Sequence, residues 1–353
     1  MQRIADAHVH AIRPFERDTI KMLDELAESG VTDASIMALP YRSTVENMRV
    51  LYTKLKYDKI KVRAFGGLHT FDRYFNEYSP QEQLSALLKM GIDGFKIYHS
   101  PKMQAKSGLA FNCEYFDKAF SFAEEHNLPV LVHVGDPDEC WDTGREYDSE
   151  EYVLKKDVYL QAFDVLDKHP DMRIVFAHFM FLSNDIKLAS QILDKYPNVC
   201  FDLTPGTEMY YAFDKNFDAW REFFIKYQDR IMFGTDSNNY KHNADLVNLV
   251  RRKLFEGKEY YAQYCYRRYF VVKSFNLPSE VVDKICYKNY LNFVGEKVRK
   301  VDEQMLLSCA ERVLNDITND KGAFDKTYKW QTFSEDADKI KITVDFCKKI
   351  LGK

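Results

Sequence analysis

Asp6-Ala7-His8-Val9-His10 closes a short apolar run near the N-terminus. On an extended strand, residues two apart face the same side, so His8 and His10 project together, with Asp6 expected below them. Two imidazoles on one face are half of a metal site. They are equally two ordinary core histidines unless the rest of the chain supplies the other half. His133 ends Val130-Leu131-Val132, His178 ends Ile174-Val175-Phe176-Ala177, and Asp236 ends Ile231-Met232-Phe233-Gly234-Thr235. A carboxylate closing so apolar a run needs a compensating charge, and a metal would supply it.

The elements that position these residues alternate regularly. Apolar runs at 4–9, 31–39, 61–68, 94–98, 129–134, 173–178, 198–204 and 230–236 read as eight strands. Helical spacing fills the intervals, as in 16–29, 44–57, 80–89, 114–126, 156–168, 185–195 and 217–227. Strands apolar on both faces indicate a parallel sheet covered by helices, and eight βα units indicate a closed barrel. The expected fold is therefore α/β, a (β/α)8 TIM barrel over 1–295, with a helical C-terminal extension over 296–353. In such a barrel the active site is built from the C-terminal ends of the strands, where all five groups stand.

Composition excludes several classes. The 353 residues carry 50 basic and 54 acidic side chains, a net charge of −4, which argues against a nucleic-acid partner. No run of about 18 apolar residues suggests a membrane span. Residues 1–6 lack the apolar core of a signal peptide. The seven cysteines, at 113, 140, 200, 265, 286, 309 and 347, form no CxxC pair and read as free thiols. A cytoplasmic enzyme acting on a small molecule is expected.

Together, Asp6-x-His8-x-His10, Gly94-Phe95-Lys96, His133, Ala177-His178 and Gly234-Thr235-Asp236 resemble the amidohydrolase superfamily. The nearest branch is that of aminocarboxymuconate-semialdehyde decarboxylase and related metal-dependent hydrolases. Ile285 to Leu291, with Asn289, is similar to that family's closing helix. The resemblance spans about residues 3–295. It implies one divalent metal, zinc, held by His8, His10, His133 and Asp236. It also implies that His178 polarises substrate or moves protons, that Asp236 accepts a proton from metal-bound water, and that the barrels pair as homodimers. Lys96 has three readings: a contact to a substrate anion, a structural ion pair, or a carboxylated lysine bridging two metals. Asp6 is expected to support the histidines from behind.

Loop residues complete the candidate set. Arg42 and Tyr41 follow strand 2, His69 follows strand 3, and His99 follows strand 4. Glu139, Trp141 and Arg145 follow strand 5, and Glu208 follows strand 7. Arg42, His69, His99, Trp141 and Arg145 are the substrate-binding candidates, each with a plain reading as a solvated or packed residue. The acidic stretch 135–151 is either a lid or a solvated excursion. The leading activity is hydrolysis of an ester, lactone or amide carbonyl. The alternative is non-hydrolytic decarboxylation of a conjugated or aromatic carboxylate.

Overall fold

Eight parallel strands pair in sequence order: β1 Ile4–His10, β2 Val31–Met37, β3 Lys61–Gly67, β4 Gly94–His99, β5 Val130–Val134, β6 Ile174–Phe176, β7 Val199–Asp202 and β8 Ile231–Met232. The computed structural model describes residues 2–11, 16–39, 43–70, 77–206, 208–238, 243–257, 260–264, 268–319 and 333–353. Helices Glu16–Glu28, Ser43–Lys56, Pro80–Met90, Glu114–Glu125, Lys155–Lys168, Ile186–Lys195, Phe217–Lys226 and Asn243–Phe255 follow the strands in turn. The barrel closes between β1 and the segment after β8. Ala7 N donates to Phe233 O at 2.9 Å, Asp236 N to His8 O at 2.9 Å, and His10 N to Ser237 O at 2.8 Å.

Alternation along the strands separates two cores. Val9, Ile36, Val62, Ile97, Val130 and Phe176 face outward and pack under the helices. Ala5, Met37, Phe65, Leu131, Val175 and Met232 face inward and fill the middle of the barrel. Below them Arg63 pairs with Asp33 at 3.3 Å and donates to Gly295 O at 2.6 Å, and Ser35 meets Tyr290 OH at 3.0 Å. The segment 284–294 thus plugs the floor. Asn289, the residue expected in a closing helix, donates to Gln228 O and Ile231 O at 2.7 Å each.

Local signals explain several boundaries. Pro80–Met90 begins at Ser79, whose hydroxyl accepts from Glu82 N while Glu82 accepts from Ser79 N, a reciprocal cap. It ends at Gly91, with φ +107, where a β-carbon would stand 2.5 Å from Lys300 O. That close approach lets 300–302 run beside the barrel and start helix Glu303–Asn319, which packs against Phe333–Leu351.

Between the eighth βα unit and the C-terminal extension the structure adds an element that the sequence reading did not assign. Tyr260–Tyr264 and Arg268–Val272 form an antiparallel hairpin, β9 and β10. Its runs are aromatic and β-branched, which favours strands. The six described cysteines carry free thiols. No described helix is long and apolar enough to cross a membrane.

Candidate metal centre at the barrel mouth

The first strand delivers two imidazoles through a bulge. Asp6 pairs with Ala34 and Val9 with Ile36, so three steps of β1 match two of β2. The extra residue resets the alternation. His8 and His10 therefore turn into the barrel, while Asp6 does not lie below them. Its carboxylate accepts from His8 N at 3.1 Å, Thr235 N at 3.1 Å and Thr235 Oγ1 at 2.6 Å. Asp6 braces the backbone of the β1–β8 seam instead of the imidazoles. Burial lifts its carboxyl to about 7.

The ligand atoms converge. His8 Nε2 and His10 Nε2 are 2.8 Å apart, and Asp236 Oδ1 is 3.3 Å from the second and 3.9 Å from the first. Metal bonds of about 2.1 Å at angles between 90° and tetrahedral separate ligand atoms by roughly 3.0–3.4 Å. The His10–Asp236 spacing falls in that range, the two imidazoles stand slightly closer and His8–Asp236 wider, and the three residues, whose ligand atoms all lie within 4.8 Å of one another, form a group that could hold a divalent ion.

Asp202 orients the cluster. Its Oδ2 lies 3.0 Å from His8 Nδ1, and Oδ1 accepts from His178 N at 2.8 Å and Thr204 N at 3.1 Å. A carboxylate behind Nδ1 fixes the proton there and leaves Nε2 with its lone pair toward the ligand point. Sequence reasoning missed this residue. Its signal was the same as that of Asp236, an aspartate ending an apolar strand.

Lys96 is inward on β4 and fully buried, with Nζ 3.2 Å from His8 Nε2. Burial lowers its ammonium to about 7, against the pull of Asp202 and Asp236. Burial, and then Lys96 and His10, also hold His8 well below the ordinary histidine value.

His178 does not end a strand. β6 stops at Phe176, and His178, Phe179, Met180 and Phe181 follow with φ of 53°, 56°, 53° and 54°. A left-handed turn of non-glycine residues costs about 1–2 kcal/mol per residue. Compensation is local: Asp202 takes His178 N, and Tyr159 OH donates to Met180 O at 3.0 Å. Phe179 is buried among the rings of Phe201, Phe213, Trp220 and Phe224. The turn aims His178 at the cluster, with its ring centroid 5.6 Å from His8 and 4.9 Å from His133. Nδ1 lies 3.3 Å from Thr204 O, so that nitrogen carries the proton and Nε2 is an acceptor. Burial, reinforced by His133, keeps the ring neutral with a value near 3.

The remaining candidates separate by direction. His133 is at the mouth, but its Nε2 faces Gly135 O at 3.1 Å and Asp136 Oδ1 at 3.4 Å. It stands outside the three-residue ligand group. Lys96 and Tyr98 point inward on β4, so His99, one residue on, points outward. It packs on Phe111 and Phe116 and meets Gln104 Oε1 at 3.4 Å, and burial lowers it to about 4. Tyr98, unremarked in the sequence, packs tilted against His133 with centroids 4.5 Å apart and ring planes at 54°. His69 turns toward Thr44, 3.1 Å from its hydroxyl, in a cleft beside helix Glu303–Asn319. Trp141 closes the β5 loop, donating to Val153 O at 3.0 Å, and Arg145 in that loop is exposed. Arg42 and Tyr41 lie outside the described residues.

Comparison with known proteins follows the same lines. The amidohydrolase family profile matches residues 5–300. No curated protein matches the sequence significantly. Among solved structures, 2,6-dihydroxybenzoate decarboxylase bound to 2,6-dihydroxybenzoate is 14% identical, with TM-score 0.52, covering 83% of this chain and 99% of that one. The 5-carboxyvanillate decarboxylase of Sphingomonas paucimobilis is 12% identical, with TM-score 0.52 and the same coverage. That of Novosphingobium aromaticivorans, with manganese and 4-hydroxy-3-methoxy-5-nitrobenzoic acid, is 14% identical, with TM-score 0.52, covering 83% and 96%. At these identities the likeness is one of fold.

Proposed function

The chain belongs to the amidohydrolase family, and from that membership we propose that it is a divalent-metal-dependent decarboxylase of an aromatic or conjugated carboxylate. The observation that carries this reading is the convergence of His8, His10 and Asp236 on one point beside the buried Lys96. A substrate carboxylate entering the mouth meets a metal position and an amine from the same wall. Rings line the approach: Tyr98 packs against His133, and Phe181 stacks on His178 at 5.2 Å, which suits a planar substrate. Three similar solved structures are named as decarboxylases of aromatic acids, and one holds manganese. Hydrolysis of an ester, lactone or amide, the leading expectation from sequence, has less support, because its only specific feature is a ligand set that both reactions use.

His8, His10 and Asp236 would hold the metal, which when bound supplies positive charge opposite a substrate oxygen anion. The chain's own groups do the rest. Lys96 supports the substrate's carboxylate. His178, neutral and with Nε2 as acceptor, takes a hydrogen bond from a substrate hydroxyl. The bond from ring carbon to carboxylate breaks, its electron pair stays on the carbon, and CO2 leaves. The carbanion needs one proton, which comes from solvent: Asp236, at the mouth with 21% of its side chain exposed, is placed to take it from water and pass it to that carbon.

The test is CO2 release from a panel of hydroxylated benzoates by protein loaded with Mn2+, and separately with Zn2+. His178→Ala and Asp236→Asn should abolish it. Turnover of esters, lactones or amides without CO2 release from any carboxylate would overturn the proposal in favour of hydrolysis.

A further inference from the structure

A cavity of about 530 Å³ lies in the helical layer, where helix Glu303–Asn319 packs against Ser43–Lys56 and Pro80–Met90. Small-molecule sites run from roughly 300 to 1,000 Å³. The reaction above does not use this cavity, since His8, His10 and Asp236 face the barrel interior and none of them lines it. One wall, from Met305 to Val313, lies beyond the family match, which ends at residue 300. The floor is aliphatic and rich in sulfur: Met48, Leu87, Met90 and Val313 are buried there, with Met305 packed beside them. Thioether side chains fit themselves to varied apolar shapes. Burial pushes the Cys309 thiol up, against the pull of Arg312, so it stays neutral and belongs to the same apolar surface.

The walls are held in place by the protein itself. Asn47 Nδ2 donates to Gly67 O at 2.9 Å, and Gly67 N donates to Asn47 Oδ1 at 2.7 Å. Gln83 accepts from His69 N and donates to Tyr78 O, both at 2.8 Å. Asp302 N donates to Met90 O at 3.1 Å and pins the start of the third helix. Charge on the cavity is one-sided. Among its described residues the carboxylate is Glu82, which is turned to its own helix cap, accepting from Ser79 N and Ser79 Oγ at 2.8 Å each. The cation is Arg312, exposed at the rim, where it donates to the Tyr78 hydroxyl at 2.9 Å with its guanidinium 5.8 Å over that ring. A guanidinium offers paired donors that match a carboxylate. We propose that this cleft binds a small monocarboxylic acid, with its apolar body on the methionine floor and its carboxylate on Arg312. The site stands whatever reaction the barrel mouth performs.

Methionine-methyl NMR of the full chain tests this, with octanoate and naphthoate as probes and octanol as the uncharged control. Both acids should shift the methyl signals of Met48, Met90 and Met305 saturably. Octanol should bind about tenfold more weakly than octanoate, the scale of one charge-assisted hydrogen bond. Arg312→Gln should weaken octanoate by the same factor and leave octanol unchanged; the residue is exposed, so folding is retained and a melting curve checks it. Ser308→Trp, at another exposed position on the lining, should fill the cleft and abolish binding of both. Octanoate tighter than naphthoate assigns the occupant to acyl chains and the reverse to aromatic acids, and either result upholds the cleft. Silence at the three methyls overturns the proposal, as does octanol binding as tightly as octanoate, or Arg312→Gln binding octanoate like the wild type. Shifts confined to Met37 and Met232, which face the barrel interior, would place the acids at the mouth and overturn it too.

Discussion

Replacing Asp202 by asparagine tests how the site is built without changing its shape. The amide oxygen can still take His178 N and Thr204 N, now 2.8 and 3.1 Å from Oδ1. The amide nitrogen must then face His8 Nδ1, where Oδ2 stands at 3.0 Å. Two donors cannot share that contact, so His8 moves its proton to Nε2, the nitrogen that meets His10 and Asp236. Losing such a carboxylate behind a liganding histidine typically costs 10–100-fold in metal affinity, or about 1.4–2.7 kcal/mol. The electrostatic loss has the same scale: a charge about 7 Å away at an effective dielectric near 20 contributes about 2 kcal/mol per unit charge. Calorimetric titration with Mn2+ should show that weakening, and nitrogen chemical shifts should show His8 protonated at Nε2. The melting point of the metal-free protein should change little, since both backbone donors keep their acceptor. Mn2+ affinity within twofold of wild type, with His8 still protonated at Nδ1, would refute this account of the site.

Other predictions follow from the surrounding structure. Lys253→Met strands Asp214, which Lys253 pairs with under the rings of Phe275 and Phe217, and should destabilise the fold by about 3–5 kcal/mol in urea titrations. Burial, opposed by Asp214, lowers the Lys253 ammonium to about 8. Between about pH 8 and the unfolded value near 10.5 only the unfolded chain keeps that proton, so the Lys253 contribution to stability should rise with pH across this window and be flat below it. A wild-type minus Lys253→Met difference that falls or stays level there would count against it. Gly91→Ala puts a β-carbon 2.5 Å from Lys300 O at φ +107 and should lower the melting point by several degrees, with residues 298–303 losing amide protection first. Saturating Mn2+ at about 100 times Kd should raise unfolding stability by about 2.7 kcal/mol, and His10→Ala should erase that gain.

The barrel was legible because its strands are apolar on both faces and its helices carry their own stop signals, such as Gly91 after Met90. Which strand-end residue turns inward was less legible. On β4, Lys96 and His99 are equally polar and three apart, and only register against β3 and β5 sends one into the barrel and the other into the helical layer. On β1 a bulge, invisible in residue types, separates Asp6 from the histidines it was expected to support. Asp202 could have been read from the chain, since it ends Val199-Cys200-Phe201 as Asp236 ends its own run. The left-handed turn at His178–Phe181 could not, because none of its residues favours that conformation and only tertiary contacts enforce it. The β9–β10 hairpin was missed, because 260–272 lies between two helical patterns and was assigned no element.

The ligand group also has a place in the order of assembly. His8 and His10 belong to the first strand and Asp236 to the segment after the last, and the backbone bonds that close the barrel run between these same residues. At a synthesis rate of about 5–20 residues per second, β1 waits roughly 10–50 seconds for its partner to be made. Through that interval the outer edge of β1 stands unpaired, and contacts spanning more than two hundred residues are the slowest kind to form. The candidate metal centre therefore sits on the seam of the barrel. An ion bound there would act as a clasp, and its removal should loosen the protein first at the amides of Ala7, His10 and Asp236, while the opposite wall of β3 to β5 stays shut.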